Sequence, residues 1–389
     1  MKKERIFQDK NVYEATQERL DFIFAEFGHI CLSFSGGKDS STLVNLVLDY
    51  IRDHGIRRRV ILFYQDFEAI YSQTTEHVRE MFERAKPYCE RYWMCLPIAS
   101  RLTLSSTQEY WYPWDDETPE KWVRPMPTDD YVINLKNNPM TTYKYKDKSK
   151  AVRAQFGAFL RDKFNAPVAQ LLGLRAEESL RRYSGFLNRK HMYKEQNWIG
   201  LSPDKDVWLA SPLYDWKTGD IWHANAVFNF PYNRLYDDMY YAGVPVKEMR
   251  VASPFHASAV AELSRYKELD PAMWQKMLHR VDGVNFAALY GNTELMGYKA
   301  TDLPDGHSWQ SYSMLMLSGM DEGYRRNFER KLAHRVGVKS LSDISDPLLW
   351  REVARAISKR DVSYLNGASL NVERKKRQYR QLADKLRDL

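Results

Sequence analysis

Ile30-Cys31-Leu32-Ser33-Phe34-Ser35-Gly36-Gly37-Lys38-Asp39-Ser40-Ser41-Thr42 decides how the chain folds. Its first five residues are mostly apolar and predict a buried strand. Leu43, Val44, Leu46, Val47, Tyr50 and Ile51 then recur at helical spacing. The order is strand, glycine loop, helix N-terminus. In that geometry unpaired N–H groups and the positive end of the helix dipole converge on the loop and favour an anion. Gly36 and Gly37 let the backbone approach a phosphate closely. Ser35 and Ser40 offer hydroxyls, and Lys38 adds a positive charge. The spacing is not that of a Walker A loop, which has four residues between its first glycine and its Gly-Lys pair.

Working outward, strands and helices alternate. Residues 9–27 predict a helix with Leu20, Ile23, Phe24 and Phe27 on its buried stripe, stopped by Gly28. Further strands are predicted at 60–64, 92–98, 168–174 and 207–210. The expected fold is α/β, a doubly wound, mainly parallel sheet. Residues 99–148 break the pattern. They carry Trp111-Tyr112-Pro113-Trp114, Trp122-Val123-Arg124-Pro125 and Tyr143-Lys144-Tyr145-Lys146, and predict a structured aromatic insertion over the ligand edge of the sheet. From residue 254 onward the pattern is helical, at 257–266, 271–281 and 308–333. The expected organisation is a helical lead over 1–28, a nucleotide-binding domain over 29–253 and a helical region over 254–389.

Composition sets the class. The 389 residues are 44% hydrophobic and 28% charged, as in a soluble globular protein. No apolar run is long enough to cross a bilayer, and no signal core follows Met1-Lys2-Lys3-Glu4-Arg5, so a cytoplasmic location is expected. A net charge of +7 admits nucleotide or nucleic-acid partners without requiring them. The basic run Arg374-Lys375-Lys376-Arg377 is compatible with a solvated helix or a nucleic-acid contact. Three cysteines, Cys31, Cys89 and Cys95, form neither a disulfide framework nor a CxxC pair.

Three segments should meet at the carboxyl edge of the sheet, where open parallel sheets bind ligands. The first is the loop 35–40. Within it, Asp39 repels phosphate and would instead orient the loop, assist a magnesium ion or cap the helix. The second is Asp66 with Glu68, which follow a strand. A carboxylate there suits a ribose hydroxyl, a metal or a helix cap. The third runs from Arg175 to Arg182. Arg175 is expected to clamp a phosphate or sulfate, with Glu177, Glu178 and Arg182 in supporting ion pairs.

The loop Ser35-Gly36-Gly37-Lys38-Asp39-Ser40 resembles the SGGxDS pyrophosphate loop (PP-loop) of the N-type ATP pyrophosphatases. Gly173-Leu174-Arg175-Ala176-Glu177-Glu178-Ser179 with Arg182 is similar to the GxRxxES…R signature of the phosphoadenosine phosphosulfate (PAPS) reductase and ATP sulfurylase small-subunit family. Pro212-Leu213-Tyr214-Asp215-Trp216 with Asp220-Ile221-Trp222, and Tyr232-Asn233-Arg234-Leu235-Tyr236-Asp237, resemble that family's next elements. The insertion and the helical C-terminal part resemble its DUF3440-type branch, which includes immunoglobulin-binding regulator A proteins. The resemblance implies an adenine nucleotide alpha-hydrolase-like fold and ATP or PAPS as ligand. It implies nucleotide contacts from the loop, Asp66, Gly173, Arg175 and Arg182, and a ParB/sulfiredoxin-like protein partner.

One departure redirects the expected chemistry. PAPS reductases attack through a cysteine near the C-terminus, and here no cysteine follows Cys95. Neither thiol-based reduction in cis nor an iron–sulfur cluster is expected. His256 and Arg250 stand where the family would approach its cysteines, and His256 is the type of residue used for acid–base work. The leading expectation is Mg-dependent cleavage or nucleotidyl transfer at the α-phosphate, with pyrophosphate released and Lys38, Asp39 and Arg175 as the working residues. The alternatives are sulfur or sulfonucleotide transfer with a partner's thiol, and a nucleotide-sensing regulator that signals to its partner.

Overall fold

The computed structural model describes residues 9–102, 110–255, 263–281, 284, 303 and 306–358. His256, most of the helix expected over 257–266 and the basic run 374–377 lie outside them. The chain divides into two compact units, Met1–Ser100 with Tyr112–Ser253 and Leu269–Met273, and Arg101–Trp111 with Pro254–Glu268 and Trp274–Leu389.

The first unit opens with α1 (Val12–Glu26), begun by a reciprocal cap between Asn11 and Glu14. Next come β1 (His29–Phe34), α2 (Lys38–Asp53), β2 (Val60–Gln65), α3 (Ser72–Ala85), β3 (Cys89–Met94) and β4 (Val132–Ile133). They are followed by α4 (Ser149–Phe164), β5 (Val168–Leu172), α5 (Leu180–Leu187), β6 (Met192–Tyr193), β7 (Gln196–Leu201), β8 (Trp208–Ala210), α6 (Thr218–Val227) and α7 (Leu235–Tyr241). The sheet order is β4-β3-β2-β1-β5-β8-β7-β6. The six strands from β4 to β8 pair in parallel, and β7 runs antiparallel to both β8 and β6. This is the expected α/β class with a mainly parallel sheet.

Alternation along β1 explains why the sheet is covered on both faces. Ile30, Leu32 and Phe34 join one core with Leu20, Ile23, Phe27 and the apolar side of α2. Cys31 points the other way, into a second core with Ile61, Phe63 and the α4 residues Val152, Phe156 and Leu160. With β2 on one side of β1 and β5 on the other, the strand order reverses beside β1. A crevice therefore opens at the carboxyl ends of β1 and β5.

Three features differ from the sequence expectations. The third strand is Cys89–Met94 rather than 92–98, because Val60 pairs with Cys89 and Gln65 with Met94, which sets its register. The β6–β7 hairpin was not foreseen. Its turn places Lys194 and Glu195 at φ of 44° and 64° without the Asn-Gly or Asp-Gly that marks such turns. The helical stretch 308–333 is two helices, α8 (Trp309–Ser318) and α9 (Glu322–Val336). Asp321 restarts the helix by accepting from the N–H groups of Gly323 and Tyr324. These two and α10 (Pro347–Ser358) bury Leu317, Phe328, Leu332, Trp350 and Val353 in the core of the second unit. Pro271–Arg280 is also helical. Among the described residues no helix is long and apolar enough to cross a membrane.

Phe156 is 1% exposed and stacks on Phe63 at 3.9 Å between ring centroids. Phe156→Ala is expected to cost about 3–5 kcal/mol in urea unfolding. A loss below about 1 kcal/mol would mean that α4 does not seal this face.

Candidate functional site

The loop after β1 is held in shape by its own hydroxyls. Ser35 N–H donates to Ser40 Oγ at 3.2 Å, the two hydroxyls lie 2.9 Å apart, and Ser40 Oγ donates to the Gly37 carbonyl at 3.0 Å. Gly36 stands at φ 73°, where a Cβ would also come within 2.8 Å of the Thr74 methyl. Gly37 caps α2 with no side chain of its own. Ser35 is exposed, and Gly37 and Asp39 are partly so, while Gly36, Lys38 and Ser40 are buried. The outer face of the loop is therefore open at the helix N-terminus, as an anion site requires.

Residues far along the chain brace this loop. Asn233 donates to the Gly36 carbonyl at 3.0 Å and to Thr74 Oγ1 at 2.8 Å. The Tyr236 hydroxyl accepts from Lys38 N–H at 3.0 Å. Burial raises the Tyr236 phenol far above its ordinary range, with Asp39 adding to the shift, so it stays protonated. The Ser41 hydroxyl donates to the Gly37 carbonyl at 3.0 Å and meets His77 Nε2 at 2.8 Å. Burial lowers the His77 pKa to about 4, so the imidazole is neutral at pH 7. The Tyr232-to-Asp237 motif was visible in the sequence, but the bracing role of Asn233 and Tyr236 was not.

Gly173 and Arg175 come to the same place from the end of β5. A Cβ on Gly173 would lie 2.8 Å from Ser40 N and 2.9 Å from the Asp39 carbonyl carbon, so only glycine lets β5 pass this close to α2. Arg175 is buried, and its guanidinium reaches the Asp39 carboxylate through Nε and Glu177 Oε2 through Nη1 at 3.1 Å. It ties the end of β5 to the first turn of α2 instead of standing free as a phosphate clamp. Arg182 pairs with Glu178 at 2.8 Å on a half-exposed surface. The Lys38 ammonium is held by the Met249 carbonyl at 3.2 Å and lies 3.3 Å from Asp39. Two cations thus occupy the Asp39 carboxylate, so the residues present do not make a protein-built magnesium site. No cluster of three His, Cys, Asp or Glu suited to a metal occurs among the described residues.

Asp66 and Glu68 do different work from that expected. Both are fully buried. Asp66 accepts from Arg124 Nη2 with both oxygens at 2.6 Å, from Trp93 Nε1 at 2.6 Å and from Glu68 N–H at 2.8 Å. Burial lowers the Arg124 pKa, but the facing Asp66 carboxylate outweighs it, and the guanidinium ends above its ordinary value. Glu68 accepts from the backbone N–H groups of Trp114 at 2.7 Å and Val123 at 3.0 Å. The two carboxylates pin the aromatic insertion to the end of β2, and Asp66 has no free lone pair directed at a nucleotide.

Comparison with known proteins places this architecture. Residues 29–242 match the phosphoadenosine phosphosulfate reductase domain, and residues 243–386 match a domain of unknown function, DUF3440. The chain is 31% identical over 331 residues to the uncharacterized protein YbdN of Escherichia coli (strain K12), covering 83% of this chain and 79% of that one. Among solved structures it is similar to a phosphoadenylyl-sulfate (PAPS) reductase from Candida auris in a phosphate complex. That match has a TM-score of 0.31 and 14% identity over 60% of this chain and 93% of the other. It is also similar to the FMN adenylyltransferase of Candida glabrata with FAD and inorganic pyrophosphate, at a TM-score of 0.34 and 14% identity over 59% and 64% of the two chains.

Arg124→Ala leaves the Asp66 carboxylate buried without its cation and is expected to cost about 3–5 kcal/mol in chemical denaturation. Removing the exposed Arg182 guanidinium should cost less than about 1 kcal/mol. Equal losses would contradict the division between anchor and surface pair. Between pH 6.5 and 4 an unfolded His77 binds a proton that the folded form refuses. Stability should therefore fall as pH drops through that window. Melting curves of His77→Gln should show a shallower fall, and an unchanged slope would remove His77 as its source.

Proposed function

The chain belongs to the phosphoadenosine phosphosulfate reductase domain family, and from that premise we propose that its first unit binds an adenine nucleotide, ATP or PAPS, with the phosphates on the loop 35–40. The observation that carries this reading is the open, serine-bridged glycine loop at the N-terminus of α2, at the point where the strand order reverses. The carboxylates and cations around it balance: Lys38, Arg175 and Arg182 against Asp39, Glu177 and Glu178. The attraction for phosphate therefore comes from backbone N–H groups and the helix dipole more than from net charge.

The reaction is cleavage or nucleotidyl transfer at the α-phosphate. With ATP as the nucleotide, an acceptor hydroxyl attacks the α-phosphorus and gives its proton to solvent, the α–β bridging bond breaks, and pyrophosphate leaves with the bond's electron pair. Gly36, Gly37, Ser35 and Ser40 hold the departing phosphates. Lys38 leaves the Met249 carbonyl to neutralise charge developing on pyrophosphate. The Asp39–Arg175 pair fixes the first turn of α2 as a positioning unit. A magnesium ion would arrive on the nucleotide and not on a site built by the protein.

The cysteines support a role other than cysteine-dependent reduction. Cys31, Cys89 and Cys95 are all fully buried. Burial raises each thiol, Cys89 to about 12, Cys31 further and Cys95 well above its ordinary value, so none offers a thiolate at pH 7.

ATP labelled at the α- and γ-phosphates tests the reading. Wild-type protein, alone or with its cellular partner, is expected to yield labelled AMP or an adenylylated product together with pyrophosphate. Lys38→Ala should lose at least about 100-fold in turnover. Tight ATP binding with no product under any condition would leave a nucleotide sensor in place of the enzyme.

A further inference from the structure

The second unit carries a cleft that the nucleotide reading does not use. It has a volume of about 410 Å³ and lies along one stripe of α8 and one of α9, closed by the turn over 339–342. That is within the size range of small-molecule sites. Arg326 and Arg330, four residues apart on α9, both line it, and Lys339 stands at its end. Like charges at this spacing repel. Arg326 is paired with Glu322, and Glu329, the carboxylate on the cleft wall, lies 3.8 Å from Arg325. Arg330 reaches only the Asn327 amide at 3.0 Å. Among the described residues neither Arg330 nor Lys339 has an ion-pair partner.

Gln310, Ser340 and Ser342 add uncharged polar groups to the lining, and Met314, Ala333, Leu341 and Trp350 form its apolar part. Leu341 and Trp350 form part of the buried core beneath it, and Met314 is 48% exposed at its side. The Trp350 indole N–H is already spent on the Ile344 carbonyl at 2.9 Å, so Trp350 offers the cleft apolar surface and no donor. Among the described residues, two cations without an ion-pair partner, Arg330 and Lys339, therefore share the cleft with the Met314 thioether and the Trp350 ring, with Glu329 on the same wall. We propose that this cleft binds a small anionic ligand with an apolar body, its phosphate, sulfate or carboxylate group between Arg330 and Lys339 and its apolar part against Met314. An anion there relieves the repulsion along α9, and the apolar part removes Met314 from water.

Phenyl phosphate is the smallest probe with both halves, and inorganic phosphate and phenol are its separate halves. Calorimetry on the full chain, with the phosphate loop filled by a non-hydrolysable ATP analogue, is expected to show one phenyl phosphate site. Its affinity should be at least tenfold above that for either half. Arg330→Gln with Lys339→Gln should weaken it at least tenfold while leaving the melting temperature and ATP affinity unchanged. Met314→Ser should reduce the preference over inorganic phosphate. Undiminished binding in the double variant, or phenyl phosphate binding no better than inorganic phosphate, would overturn the proposal.

Discussion

Position 173 cannot carry a side chain, and the site depends on that constraint. The Gly173 Cα passes so close to the first turn of α2 that a methyl would collide with the Ser40 amide nitrogen and the Asp39 carbonyl carbon. Backbone lies directly against backbone there, which only glycine permits. From this approach the chain continues two residues to Arg175, whose buried guanidinium closes on Asp39. One close contact thus joins the ends of β1 and β5. It also fixes the direction of the helix whose N–H groups face the loop.

The surrounding structure keeps that arrangement rigid while leaving the loop open. Asn233 and Tyr236 hold it from one side, and Ser41 and His77 from another. Each uses a neutral hydrogen bond, so bracing adds no charge to compete with a bound anion. The formal charges that are present cancel in pairs. A preformed cradle of this kind would lose little on reorganisation to an anion such as the proposed phosphate. The insertion is secured by a separate device, the buried Asp66–Arg124 pair and the Glu68 carboxylate, which is costly to break.

How much of this was legible follows from how local each signal is. The strand–loop–helix of 30–51 could be read because strand alternation, glycines and helical spacing are all contained within about 20 residues. The fold class followed from the repetition of that unit. The Asp66–Arg124 pair was not legible because a carboxylate at a strand end looks the same whether it meets a ribose or an arginine 58 residues later. Arg175 was placed at the right strand end, but its partner Asp39 belongs to an element 136 residues earlier. No local pattern could reveal that the two satisfy each other. The β6–β7 hairpin was missed because Lys194 and Glu195 take left-handed conformations without glycine or asparagine.

We propose that the backbone approach at Gly173 shapes the loop for the phosphates of a nucleotide. That claim is tested most directly by the equilibrium affinity of Gly173→Ala for ATP, measured by calorimetry beside wild type. The account predicts at least a tenfold loss of affinity with β-sheet circular dichroism retained, because the added methyl must push the first turn of α2 away from the end of β5. Unchanged affinity in a folded Gly173→Ala protein would contradict it.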